Sequence, residues 1–237
     1  MWNGNLKALT FSFDDGVLQD LKVLEILDKY GLKATFNLNS CHLGNKNHLD
    51  VYGQKINHDK IAPKNVKEVY KNHEVAVHTK THPLLTKLSD EEIIDQVEND
   101  RQLLSALCGY EIIGMAYPCG GVNNDDRTAD ILKKSTGVEY ARTINSNASF
   151  NPPKNPYRWH PSVYAVECKK VFELAEKFLT LETDEPQIFF VWGHSHEFDI
   201  LDEMTWEKLE EFFQMISGKE DVFYATNKEA LAWLQEE

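Results

Sequence analysis

Asp14 and Asp15 stand side by side at the end of a strand-like run, Leu9 to Phe13, and Gly16 follows them. Adjacent carboxylates at the tip of a buried strand repel each other and lose hydration, which is costly unless a cation or a proton is supplied. Neighbours in an extended segment point to opposite sides, so the two carboxylates suit different tasks. One can hold a metal while the other takes a proton. Taken alone, Asp-Asp-Gly also fits a solvated turn with Asp15 as a helix N-cap. His78 and His82 stand four apart, with Pro83 behind them. With Asp15 they make an Asp-His-His set of zinc type that leaves positions open for water and substrate. Two surface histidines around a Pro-ended turn are the plainer reading. A second pair, His194 and His196, closes the apolar run Ile188 to Trp192. An imidazole of ordinary pKa, about 6.5, suits a general acid near neutral pH. Trp159 fits a sugar-stacking platform and a core aromatic equally well.

These residues need elements that bring them together. Apolar alternation gives a strand ending at Asp14, and a helix with Val17, Leu21, Leu24 and Leu27 on one face follows. Further strands are expected over 34–38, 74–77, 112–117, 138–144, 187–192 and 222–224. Helices are expected over 64–71, 89–108, 125–135, 169–181, 205–217 and 228–234. Ser89 with Glu92 three residues on is a capping-box signature for the second of these. Residues 39–62 read as a long surface loop that caps the site or packs on a partner subunit, and 145–164 as an irregular stretch. Strands alternating with amphipathic helices imply right-handed crossovers and a parallel sheet. No Gly-rich dinucleotide fingerprint follows the first strand. About seven such strands suit an α/β fold of distorted (β/α) barrel type, whose site gathers at the C-terminal strand ends. The acids, both histidine pairs, Tyr117 to Gly121 and Arg142 all fall at such ends.

The chain of 237 residues has ample core for one domain spanning 1–237, and no composition break divides it. A net charge of −13 argues against nucleic-acid and anionic-membrane partners. The four cysteines form no Cys-x-x-Cys pair, which favours free thiols. With no signal-peptide pattern and no apolar run of membrane-spanning length, the expected location is cytoplasmic.

In order and type, these residues resemble the polysaccharide deacetylase family, the NodB-homology domains of carbohydrate esterase family four. Ser12 to Gly16 looks like the first motif of that family, and His78-Thr79-x-x-His82-Pro83 like the second. Ala116 to Gly120 is a variant of the third, the stretch around Trp159 falls at the fourth, and Val191 to His194 at the fifth. The resemblance implies a NodB-like distorted barrel with a divalent metal at its rim, zinc first and cobalt, nickel or manganese as substitutes. Asp15, His78 and His82 would hold it, Asp14 would be the general base and His194 the general acid. A backbone N–H near Cys119 would help to stabilise the oxyanion. Tyr117, Cys119, Arg142, Trp159 and His196 complete the expected substrate-binding set. Ala116 replaces the usual motif-three Arg, a role left to Arg142 or Arg158, with Arg142 favoured because it ends a strand. Arg158 replaces the motif-four Asp that supports the acid, leaving Glu197 or Asp199 to compensate. Cys119 replaces an aromatic residue. These departures mark a divergent branch.

The expected activity is metal-dependent removal of acetyl groups from N- or O-acetylated carbohydrate. Alternatives are hydrolysis of another amide or cyclic ureide on the same fold, and a silent carbohydrate-binding protein whose metal is structural. An iron oxygenase with a two-His-one-carboxylate set is disfavoured by the second acid and the strand–helix alternation.

Overall fold

The structure, a computed structural model, describes residues 2–51 and 53–232. The first half of the chain runs β1 (Lys7–Asp14), α1 (Asp20–Lys29), β2 (Ala34–Leu38), β3 (His48–Val51), β4 (Gln54–Asn57), α2 (Val66–Val69) and β5 (Glu74–Val77). It continues through α3 (Asp90–Cys108), β6 (Gly114–Ala116), α4 (Asp126–Ser135), β7 (Tyr140–Arg142) and β8 (Val163–Tyr164). The last elements are α5 (Cys168–Leu179), β9 (Gln187–His194), α6 (Trp206–Ile216), β10 (Val222–Ala225) and α7 (Asn227–Leu231).

Eight strands form one curled parallel sheet, seven in the order β7-β6-β5-β2-β1-β9-β8 and β10 beside β1 off that path. One edge of β1 meets β9 along its whole length. The other edge is shared, with β10 opposite Lys7–Thr10 and β2 opposite Phe11–Asp14. Every residue of β1 is buried, as a central strand covered on both faces must be. Leu9, Phe11 and Phe13 turn outward and pack under the helices, where Phe11 meets the rings of Phe212 and Phe213 on α6. Ala8 lies in a second cluster with Trp2, Tyr140, Trp159, Ile188 and Phe190, which fills the concave side of the sheet. The period of two along each strand then carries Asp14 of β1 and His194 of β9 to the same concave side, at the mouth. Because the strands are parallel, all their C-terminal ends open onto one rim.

The helices begin and end where their local chemistry dictates. Ser89 caps α3 reciprocally with Glu92, and Gly109 closes that helix in the left-handed conformation. Asp125 caps α4 by the same reciprocal device with Thr128.

Two stretches hold more structure than their composition implies. Within 39–62 lies the antiparallel β3–β4 hairpin, and residues 58–61 fold back along 16–18. Within 145–164, Trp159 pairs with Arg142 beside β7 while Val163 and Tyr164 pair with β9, so this segment draws the two sheet margins together. The closing helix is described as Asn227–Leu231, and the remainder of its expected span lies partly outside the described residues. Among the described residues, no helix is long and apolar enough to cross a membrane.

Candidate active site

Asp14 ends β1 in register with Asn37 of β2 on one side and His194 of β9 on the other. Its carboxylate is almost fully buried. It accepts from Asn37 Nδ2 at 2.8 Å, and Arg142 Nη2 donates to both of its oxygens. The Arg142 side chain is itself buried and lies over the Trp192 ring at 4.6 Å. Burial works to raise the Asp14 pKa, but the opposing charge of Arg142, helped by His78 and His194, holds it below the usual carboxylate value.

The chain turns sharply after Asp14. Asp15 adopts φ +84° and Gly16 φ +63°, and a Cβ on Gly16 would come within 2.7 Å of Leu38 Cδ2. This bend sends the Asp15 carboxylate away from Asp14 and toward the histidines of the second motif. Thr79 and His82 also have positive φ, 67° and 59°, and the Thr79 hydroxyl accepts from the His82 N–H at 3.1 Å. That compact turn brings the His78 and His82 rings to 4.9 Å between centroids. Cys119, also at positive φ, is the next rim residue, so backbone strain concentrates around one mouth.

Asp15, His78 and His82 each offer a ligand atom within 4.8 Å of the others. His78 Nδ1 lies 2.9 Å from the Ala116 carbonyl, the outer hydrogen bond that fixes a ligating imidazole with Nε2 bare. Burial pushes the His78 pKa down to about 4 and lowers that of His82 as well, so both rings are neutral at neutral pH and offer lone pairs. Asp15 is opposed by burial, yet the His58 hydrogen bond and the Lys60 charge hold it well below the usual range. The donor set fits a divalent cation.

On the other side of Asp14, the His194 ring lies between two carboxylates. Its Nε2 is 3.9 Å from Asp14 Oδ2 and its Nδ1 is 3.2 Å from Glu197 Oε2. The Tyr164 hydroxyl donates to Glu197 Oε1, and Glu197 also accepts from the His194 backbone N–H at 3.1 Å. Burial disfavours the charged ring, but Glu197, then Asp14 and Asp15, outweigh it and raise His194 to about 9.

The family profile described as polysaccharide deacetylase matches residues 3–141. The chain belongs to the polysaccharide deacetylase family. It is 28% identical over 126 residues to the peptidoglycan-N-acetylmuramic acid deacetylase PdaC of Bacillus subtilis, covering 52% of this chain and 24% of that protein. Against the peptidoglycan-N-acetylglucosamine deacetylase PgdA of Listeria monocytogenes the figures are 29% over 119 residues, covering 49% and 22%. The matched region thus spans about a quarter of these relatives. The fold is similar to the PdaC structure, with TM-score 0.58 and 18% identity over 98% of this chain and 93% of that one. It is also similar to a family-four pseudoenzyme from Bacillus anthracis, with TM-score 0.54 and 21% identity over 90% and 61%.

Asp14, Asp15, His78, His82, Tyr117, Cys119, His194 and His196 all line one pocket. Arg142 lies beneath it, paired to Asp14. Trp159 does not face the pocket and is no stacking platform. It is buried against Phe190 at 4.2 Å and Tyr140 at 6.0 Å between ring centroids, where it fills the concave core. Trp192, two residues before His194, faces the pocket instead and stacks on Tyr164. Arg158 is turned away to Asp126 and Asn124, and Asp199 to Gln19 and Trp206, which leaves Arg142 beside Asp14 and Glu197 beside His194. His58, Lys60 and Tyr164 are pocket residues absent from the sequence-based set. Trp192 closes the expected strand 187–192, whereas Tyr164 lies in a stretch read as irregular and becomes a strand end only through pairing with β9. His58 and Lys60 bear no strand-end signal, because their place depends on 58–61 folding back onto the Gly16 turn.

Proposed function

We propose that this chain hydrolyses acetyl groups from N- or O-acetylated carbohydrate, with a divalent cation, zinc foremost and cobalt, nickel or manganese as substitutes, held by Asp15, His78 and His82. When bound there, such a cation supplies an acidified water and polarises the acetyl oxygen. One observation carries the reading: Asp14 Oδ2 lies 3.9 Å from His78 Nε2 and 3.9 Å from His194 Nε2. The carboxylate therefore adjoins both the ligand side and the acid side. Asp14 takes the proton of the attacking water. Arg142 and Asn37 keep it ionised and fixed, and a carboxylate held so low suits a water that is already acidic. His194, charged at neutral pH, gives its proton to the departing amine or alkoxide, while Glu197 and Tyr164 fix its ring. Tyr117, Trp192, Cys119 and His196 line the space for the sugar.

The pocket volume, about 770 Å³, and apolar lining from Leu49, Ile144 and Trp192 also favour a compact amide, such as a cyclic ureide, as a second reading. Four free cysteines support a reducing compartment. The charge of −13 supports neither a nucleic-acid nor an anionic-membrane partner.

The test is acetate release from a panel of N- and O-acetylated sugars by zinc- or cobalt-loaded protein, with Asp14→Asn alongside. Release by the parent chain and not by the variant supports the reading. Metal bound with no sugar turned over moves it to another amide or to a binding protein. Release unaffected by the variant means that Asp14 is not the base.

A further inference from the structure

Asp15 has two carboxylate oxygens, and they face two different pairs of histidines. Oδ1 lies 3.8 Å from His82 Nε2, on the His78–His82 side. Oδ2 lies 3.3 Å from His58 Nε2, and the His58 ring stands edge-on to His196 at 4.8 Å between centroids. His58 is brought there by the segment after the β3–β4 hairpin. Leu18 N donates to the Asp59 carbonyl at 2.8 Å and Ile61 N to the Gly16 carbonyl at 2.9 Å, which ties 58–61 to the turn carrying Asp15. Asp15, His58 and His196 therefore form a second trio with ligand atoms within 4.8 Å. Such a trio either takes a second cation or serves the first.

Two observations decide between these. A ligating imidazole passes its other N–H to an acceptor, as His78 does to Ala116. The Nδ1 atoms of His58 and His196 are both buried with no partner, so ligation through Nε2 would strand two buried N–H groups. A fixed ammonium also stands beside His58. Lys60, itself buried, donates from Nζ to the Asp15 carbonyl at 2.9 Å and lies 3.8 Å from Asp15 Oδ1 and 3.5 Å from His58 Nε2. With the proton on Nε2, by contrast, His58 donates to Asp15 Oδ2 and leaves only a bare lone pair at Nδ1.

Building on the metal-centre reading above, we propose that His58 is a positioning residue. Its Nε2–H clamps Asp15 Oδ2, holds the strained Asp15 backbone in place and presents Oδ1 to a single cation shared with His78 and His82. The Asp15–His58–His196 trio takes no cation of its own.

The experiment measures zinc stoichiometry and affinity by competition with a chromophoric chelator, and the visible spectrum of the cobalt form, for the full chain and its variants. The parent chain binds one cation. His58→Ala binds it about 10–100-fold more weakly and changes the cobalt spectrum. His58→Gln, which keeps an N–H within reach, recovers most of the affinity. His58→Leu serves where His58→Ala does not fold. His196→Ala still binds one cation. Two cations in the parent chain, with one lost in either His58→Ala or His196→Ala, overturn the proposal. One cation held equally well with and without His58 also overturns it. A parent chain that binds no cation refutes the metal-centre reading itself and this inference with it.

Discussion

Arg142, the last residue of β7, lays its guanidinium on both carboxylate oxygens of Asp14, the last residue of β1, four strands away in sheet order. The two are 128 positions apart in the chain, and both are buried. Removing one partner leaves the other as an uncompensated buried charge, so Arg142→Met is expected to lower stability by about 3–5 kcal/mol. Combined with Asp14→Asn, the loss should be well short of the sum of the two single losses, because the lone charge is then gone. Denaturant titration of the four proteins checks this.

His194 should titrate near 9 in the metal-free protein, since Glu197, Asp14 and Asp15 outweigh the effect of burial. Its folded-state pKa exceeds the unfolded value of about 6.5. The stabilisation is therefore complete below pH 6.5 and is lost as pH rises through 9. Glu197→Gln removes the nearest carboxylate charge and should bring the ring's titration down toward neutral pH. Proton NMR of the ring hydrogens reads the value directly in both proteins.

Glu98 supplies an acid-side counterpart far from the pocket. Hydrogen bonds from Arg101 on both oxygens, at 2.8 and 2.7 Å, hold its pKa at about 2 against burial, and the Gly137 N–H adds a third at 2.9 Å. A depressed carboxylate stabilises the fold above its unfolded value, 4.5, and that contribution fades as pH falls toward 2. Glu98→Gln should be less stable at neutral pH and show a flatter stability profile between pH 4.5 and 2. Thermal melts across that range test it.

The two tryptophans near the mouth should separate cleanly. Trp159→Ala removes a buried ring and is expected to destabilise by about 3–5 kcal/mol, with substrate affinity changed only through folding. Trp192→Ala opens the pocket wall and should raise KM on whichever acetylated substrate is turned over. Steady-state kinetics beside chemical denaturation distinguishes the two outcomes.

Much of the sheet was legible because its strands announce themselves by continuous apolar runs, and α3 and α4 carry their caps in sequence. The rim residues were legible for a related reason, since acids and histidines recur at the ends of several apolar runs and a parallel sheet gathers those ends on one rim. What escaped reading depends on tertiary return of the chain. His58 and Lys60 sit in a stretch whose Asn, His, Gly and Lys content reads as solvent-exposed, and only pairing with the Gly16 turn buries them. Trp159 shows the converse. Its Pro-flanked, irregular context leaves platform and core equally open, and the structure decides for the core, where its backbone bonds to Ala141 and Thr143.

The seam made by residues 159–164 divides the proposed site into two parts of different reach. Asp15, His78 and His82 come from β1 and the end of β5, separated in the sheet only by β2, so a flat, half-formed sheet already holds their strands close together. Arg142 meets Asp14 across the concavity, where Trp159 pairs beside β7 and Val163 pairs with β9. The proposed ligand cluster therefore draws on near neighbours in the sheet, whereas the proposed base is paired across its full width. Of the proposed site, the Asp14–Arg142 pair is thus the part that depends most on the curl of the whole sheet.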